Sequence, residues 1–177
     1  GQFPGKDAGG NHRLQSVKGD KIARRIKMKE IEPYIRVTQY HETDQMGIIN
    51  HVNYIRWMEE ARVDYLEKIG FGYEKAVEAG IDFALLGIQC RYKAMTRFRE
   101  RVKIYVFVKK ISPMRITVGY EMIGENDGKV RFTAESEHCY YSSVKNRPVR
   151  LDRELPKLYE KLLEYCEEAE IRQGRAE

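Results

Sequence analysis

The sequence predicts an α+β protein in which one long helix lies against an antiparallel sheet. Three observations carry that prediction. Residues 51–69 hold a single apolar stripe, Tyr54, Met58, Ala61, Tyr65 and Ile69, at spacings of three and four. Residues 102–108, 116–122 and 130–141 alternate apolar and polar side chains with the two-residue period of a half-buried strand. The breaks between those runs are short turns, Ile111-Ser-Pro-Met114 and Gly124-Glu-Asn-Asp-Gly128, and short turns join antiparallel neighbours. A length of 177 residues suits one well-buried core and is short for two domains.

The elements follow in order. Residues 1–30 are rich in glycine and charge and show no sustained apolar period, so they read as a basic N-terminal arm or leader, with residues 31–177 as the folded domain. The chain opens on Gly1; Met28 is a candidate natural start, and residues 18–29 could instead form a short basic helix. Tyr34 to Tyr40 reads as a strand. A loop with one glycine, Gly47, precedes the long helix, and Gly70 and Gly72 suit its end. A shorter helix is expected over Tyr73 to Ala79, closed by Gly80, then a strand over Phe83 to Tyr92. After the three alternating strands and the break at Lys145-Asn-Arg-Pro148, Leu155 to Ile171 reads as a terminal helix with a charged face.

Composition excludes several classes. Hydrophobic residues make up 42% and charged residues 33%, the balance of a globular protein rather than a disordered one. No apolar run reaches about 18 residues, so no membrane span is expected, and no signal peptide opens the chain. Cys90, Cys139 and Cys166 are odd in number and widely spaced, which argues against a disulfide framework or a zinc site and fits a reducing, cytoplasmic setting. The net charge is +5, and residues 1–30 account for all of it, with eight Lys or Arg against three Asp or Glu; the remaining residues carry 24 of each. A neutral body is poor ground for nucleic-acid binding, so no nucleic-acid partner is expected.

The chemistry concentrates in Tyr40-His-Glu-Thr-Asp-Gln-Met-Gly-Ile-Ile-Asn-His-Val-Asn-Tyr54, directly before the long helix. A helix N-terminus presents unpaired N–H groups and the positive end of a dipole, which can stabilise a developing oxyanion. A carboxylate beside it can act as nucleophile or general base. Together these are the minimum for hydrolysing an activated acyl group. The plain alternative is that Asp44 satisfies turn amides and that Asn50 or His51 caps the helix.

The pattern Glu42-Thr-Asp44-x-x-Gly47-Ile-Ile-x-His51-x-Asn53-Tyr54 resembles the 4-hydroxybenzoyl-CoA thioesterase family of hot-dog proteins, closest to the bacterial branch of short acyl-CoA thioesterases found beside Tol-Pal genes. Trp57-Met-Glu-Glu-Ala-Arg62, Tyr92-Lys-Ala-Met-Thr-Arg97, Ile111-Ser-Pro-Met-Arg115 and Arg147-Pro-Val149 extend the likeness over about residues 31–160. It implies a hot-dog fold, an antiparallel sheet wrapped around a central helix, and hydrolysis of acyl-CoA to free acid and CoA. It makes Asp44 the catalytic carboxylate and His51 the position whose backbone N–H polarises the thioester carbonyl, with Tyr40 and Glu42 in support. Asn50 stands where relatives often carry an aromatic residue. Tyr54 and Trp57 are expected at the acyl group. Lys109, Lys110 and Arg115 are candidates for the CoA phosphates, and Arg91, Lys93, Arg97, Arg99 and Arg101 form a second basic cluster. Glu59, midway along the helix, is the second choice of catalytic acid. No metal and no cofactor is expected, coenzyme A being part of the substrate. The resemblance further implies a homo-oligomer, a dimer or a homotetramer. Two other functions compete: hydrolysis of acyl groups on acyl carrier protein, and a non-catalytic acyl-CoA-binding regulatory module.

Overall fold

The computed structural model describes residues 31–169; the expected N-terminal arm and the end of the expected terminal helix lie outside them. The chain runs β1 (Tyr34–Val37), a 3-10 turn (Tyr40–Glu42), α1 (His51–Lys68), α2 (Tyr73–Ala79), β2 (Ile81–Tyr92), β3 (Arg101–Ile111), β4 (Arg115–Gly124), β5 (Val130–Ser142), β6 (Arg147–Pro148), α3 (Leu151–Glu154), α4 (Pro156–Glu164) and β7 (Cys166–Ala169). The strands form one sheet in the order β1-β3-β4-β5-β2. All pairings along that path are antiparallel. β6 adds to β5, and β7 runs parallel to the far half of β3.

α1 is about 27 Å long at 1.5 Å per residue and serves as the filling of the sheet. Its stripe, Tyr54, Trp57, Met58, Ala61, Tyr65 and Leu66, is buried. It meets the inward set of the strands, including Val102, Ile104, Val108, Ile116, Val118, Met122, Phe132 and Tyr140. Each large apolar side chain so buried contributes roughly 1.5–3 kcal/mol. This is the wrapped, α+β hot-dog arrangement. On the outer face, Gly119 leaves room for the Phe107 ring, whose nearest atom would lie 2.1 Å from an added Cβ.

Two expected elements differ. The first strand stops at Val37 because Thr38 turns inward, its hydroxyl donating to Arg97 O at 2.7 Å. The terminal helix is broken at Pro156, which starts α4 at a position where a missing N–H costs nothing. It ends at Glu164, and Cys166–Ala169 then pairs with the outer edge of β3. Helix-favouring Glu and Ala in that stretch are overridden by an available edge.

Between α1 and the sheet runs a polar chain. Arg62 donates to the Tyr120 hydroxyl (3.2 Å), which contacts Ser136 Oγ (3.2 Å), which contacts His138 Nε2 (2.8 Å). His138 Nδ1 lies 3.3 Å from Phe83 O. A carbonyl only accepts, so Nδ1 carries the proton and Nε2 accepts from Ser136. The fully buried ring is held neutral: burial, and then the Arg62 charge, lower its pKa to about 4. A folded pKa below the unfolded value of about 6.5 means that the full stabilisation is present above pH 6.5 and is lost as the pH falls toward 4. Urea unfolding between pH 7 and 4 is expected to show a loss in the parent chain about 1–3 kcal/mol larger than in His138→Gln.

Candidate active site

The segment before α1 folds as a miniature hairpin. Thr43 bridges Ile49, the Asp44 amide donates to Ile48 O (2.9 Å), and Gly47 N donates back to Asp44 O (3.0 Å). Gly47 sits at φ +70°, the left-handed region that favours glycine. A second bridge, Ile48 to Arg97, and the bond from Ile49 N to Thr96 O (2.8 Å) tie this hairpin to the segment after β2.

Glu42 anchors the hairpin from beneath. It is buried, and its carboxylate accepts from Gln39 N (2.6 Å), the Trp57 indole N–H (2.8 Å) and Arg36 (2.6 Å). Burial opposes its ionisation, but the Gln39 amide, the Trp57 indole and Arg36 together hold its pKa below the usual carboxylate value. Its carbonyl accepts from Asn50 N and from the Asn53 side chain. Loop start and helix start are thus fixed to one residue.

Asp44 is half-buried, and its Oδ1 accepts from Met46 N at 2.8 Å. Among the described residues no donor meets its second oxygen. Asn50 caps α1, accepting from Val52 N at 3.1 Å through Oδ1. The cap leaves the N–H of His51, the first helical residue, without an acceptor among the described residues. Asp44 and His51 face the same open cleft of about 300 Å³, lined also by Met46, Ile48, Tyr54 and Tyr92. Tyr92 donates to His51 O at 3.0 Å. Burial, with the Cys90 thiol adding to it, pushes the Tyr92 phenol up to about 12, so it keeps its proton. Beneath the cleft Tyr54 stacks on Phe132, ring centroids 5.1 Å apart, and closes the floor. Arg131, buried, braces the far wall. Its carbonyl accepts from Lys93 N and Ala94 N, and its guanidinium pairs with Glu100 and Asp127 at 3.0 Å each.

A profile of the Thioesterase-like superfamily matches residues 38–162. The chain belongs to the thioesterase-like superfamily. YneP of Bacillus subtilis, whose name proposes an acyl-CoA thioesterase, is 27% identical over 131 residues, covering 74% of this chain and 91% of YneP. An Aquifex aeolicus protein whose name proposes an esterase is 31% identical over 112 residues, 63% of this chain and 86% of its own. Among solved structures, the DHNA-CoA thioesterase of Staphylococcus aureus superimposes with a TM-score of 0.70 at 34% identity, covering 73% of this chain and 87% of that one.

In this thioesterase-like chain the cleft gathers three of the expected residues: Asp44, His51 and Tyr54. Trp57 does not reach it. The indole is fully buried and uses its N–H on Glu42, since a buried donor needs an acceptor, so it positions the loop instead of touching an acyl group. Lys109, Lys110 and Arg115 lie at the other end of the sheet. Lys109 is eight residues along β3 from Arg101, roughly 26 Å; Lys109 pairs with Glu135 and Arg115 with Glu137 on the outer face. Glu59 is exposed on α1 and does not line the cleft. Tyr92, Met46 and Met95 also line it: they lie inside segments that carry the resemblance, which gives them no role of their own, and the bridge between the two loops brings them together. No group of three or more His, Cys, Asp or Glu among the described residues is placed to hold a metal.

The Glu42 anchor is testable through Trp57, the only tryptophan in the chain. Urea unfolding followed by its fluorescence is expected to lose about 1–3 kcal/mol in Glu42→Gln, which keeps the shape but not the charge opposite Arg36. Glu42→Ala is expected to lose about 3–5 kcal/mol, because it also leaves the buried Trp57 indole N–H and the Gln39 amide without their acceptor and opens a cavity beneath the loop.

Proposed function

We propose that the chain hydrolyses acyl-CoA thioesters to free acid and CoA, with Asp44 as the reacting carboxylate. The observation that carries this reading is one cleft holding an Asp44 oxygen without a protein donor beside a His51 N–H without an acceptor. A thioester carbonyl oxygen set on that N–H, at the positive end of α1, gains stabilisation as it becomes an oxyanion. Asp44 then attacks the carbonyl carbon to give a mixed anhydride that water opens, or takes a proton from water that attacks directly. By either route the C–S bond breaks and the CoA thiolate leaves. The His51 ring, exposed at the rim, is placed to carry a proton. The names of the S. aureus and B. subtilis relatives support CoA as the carrier. The Glu42–Tyr54 motif supports the 4-hydroxybenzoyl-CoA-type branch.

The closed floor supports a compact acyl group, short or aromatic, over a long chain. Tyr54 and Phe132 fill the space a hydrocarbon tail would need, and Tyr54 and Tyr92 offer aromatic edges and faces to a ring. A homo-oligomer fits the same reading. β2 has a strand neighbour on one flank only among the described residues and carries exposed Leu85 and Leu86, the profile of an edge awaiting a second copy.

Thiol release from a panel of acyl-CoAs tests the assignment. Turnover is expected to be fastest with short or aromatic acyl groups and to fall about 10²- to 10⁴-fold in Asp44→Asn with its unfolding midpoint unchanged. Undiminished turnover in Asp44→Asn would remove that residue from the chemistry. Turnover of acyl carrier protein thioesters alone would replace CoA as the carrier.

A further inference from the structure

We propose that Thr96, behind the floor of the cleft, is a specificity-determining residue: it makes the Tyr54 hydroxyl a hydrogen-bond donor for acyl groups that carry an acceptor oxygen at their far end. The inference rests on the acyl-CoA reading above and deepens it by naming what the cleft selects. Thr96 is fully buried, and its hydroxyl completes no hydrogen bond. Valine has nearly the same shape and leaves no polar atom unmet, so the hydroxyl is unfavourable for stability alone. Buried polar atoms without a partner are rare enough that each calls for a cause.

The cause lies in where Thr96 stands. It follows Ala94 and Met95, which line the cleft, and precedes Arg97, which bridges Ile48. Its carbonyl accepts from Ile49 N at 2.8 Å, so its backbone is fixed beneath the hairpin that carries Asp44. The polar group it faces is the Tyr54 phenol. Burial raises the pKa of that phenol, so it keeps its proton at neutral pH; the Thr96 hydroxyl and amide act the other way, as donors set against the phenol oxygen. The Arg131 charge acts with them and the Glu100 charge against them. With donors on its Thr96 side, the phenol oxygen is placed to accept there, and its own proton is the group left over. Tyr54 gives that proton to no acceptor among the described residues. Tyr54 lines the cleft and lies three residues, roughly 4.5 Å, along α1 from His51, so a thioester seated on the His51 N–H has this hydroxyl within reach of a compact acyl group. An acceptor oxygen on the acyl group that takes the proton makes the phenol oxygen a stronger acceptor and so completes the Thr96 bond. A methyl group at the same place leaves both donors unmet, which is how a buried polar site rejects an apolar analogue.

The test pairs tails of one shape that differ by an oxygen, each on CoA: 4-oxopentanoyl against 4-methylpentanoyl, and 4-methoxybenzoyl against 4-ethylbenzoyl. In the parent chain kcat/KM is expected to favour the oxygen-bearing member of the pair whose length suits the floor by about tenfold or more. Tyr54→Phe is expected to abolish that preference, Thr96→Val to lower it about fivefold or more, and Thr96→Ser, which keeps the hydroxyl, to retain it. No preference in either pair would overturn the proposal. So would equal loss on both members of a pair in Thr96→Val, the result of a packing role alone. Should Thr96→Val fail to fold, the ratio in Tyr54→Phe decides, and a preference that survives there sinks the idea. Calorimetric binding of non-hydrolysable CoA thioethers bearing the matching tails reads the same selection without any turnover, so it stays measurable even if the hydrolytic reading fails; equal affinity of the parent for both tails would again overturn it.

Discussion

A single buried negative charge organises this protein. Glu42 is the only carboxylate buried among the described residues, and a charge taken from water is tolerable only when fully met by donors. Meeting it requires β1 to supply Arg36, the turn to supply the Gln39 amide, and α1 to supply Trp57. Those three elements meet at one carboxylate and are held to one another through it. The start of the helix, the bend out of the first strand and the path of the loop follow from that. Two residues further on, a second carboxylate escapes the same treatment. Asp44 spends one oxygen on Met46 N and leaves the other to the cleft. One acid is spent on geometry, and its neighbour keeps an oxygen open to the cleft.

Much of the fold was legible because the periods were clean. The stripe from Tyr54 to Ile69 marks a helix, and the alternation through Val102–Val108 and Ile116–Met122 marks strands, since burial on one side imposes those spacings. The meander order followed from its short turns. Where tertiary contacts outbid local preference, the sequence misled. Residues 166–169 carry helix-forming composition and nevertheless add to an open flank of β3. The 3-10 turn at Tyr40–Glu42 has no period; its cause is a side chain reaching back to Gln39 N.

The site was legible to the extent that it is contiguous. Asp44, Gly47 and His51 lie within eight residues, and their spacing already put a carboxylate before a helix start. Tyr92 could not be found this way, because its role depends on the carbonyl it meets 41 positions earlier. Trp57 illustrates the opposite failure. A large aromatic near an acyl site suggests contact with substrate, yet the donor on its ring had a stronger claim elsewhere. Asn50 is similar: where an aromatic residue would shape a pocket, an amide side chain caps the helix through Val52 N and leaves the His51 N–H unspent at its tip.

The buried Arg131 gives the turn between β4 and β5 an influence out of proportion to its distance from the chemistry. Its guanidinium is shared by Asp127 in that turn and Glu100 beyond the cleft wall, while its carbonyl holds the first residues of the wall itself. The exposed turn is therefore a tuning screw for the mouth of the site. A change in that turn can shift the wall of the cleft while every residue that lines it stays the same.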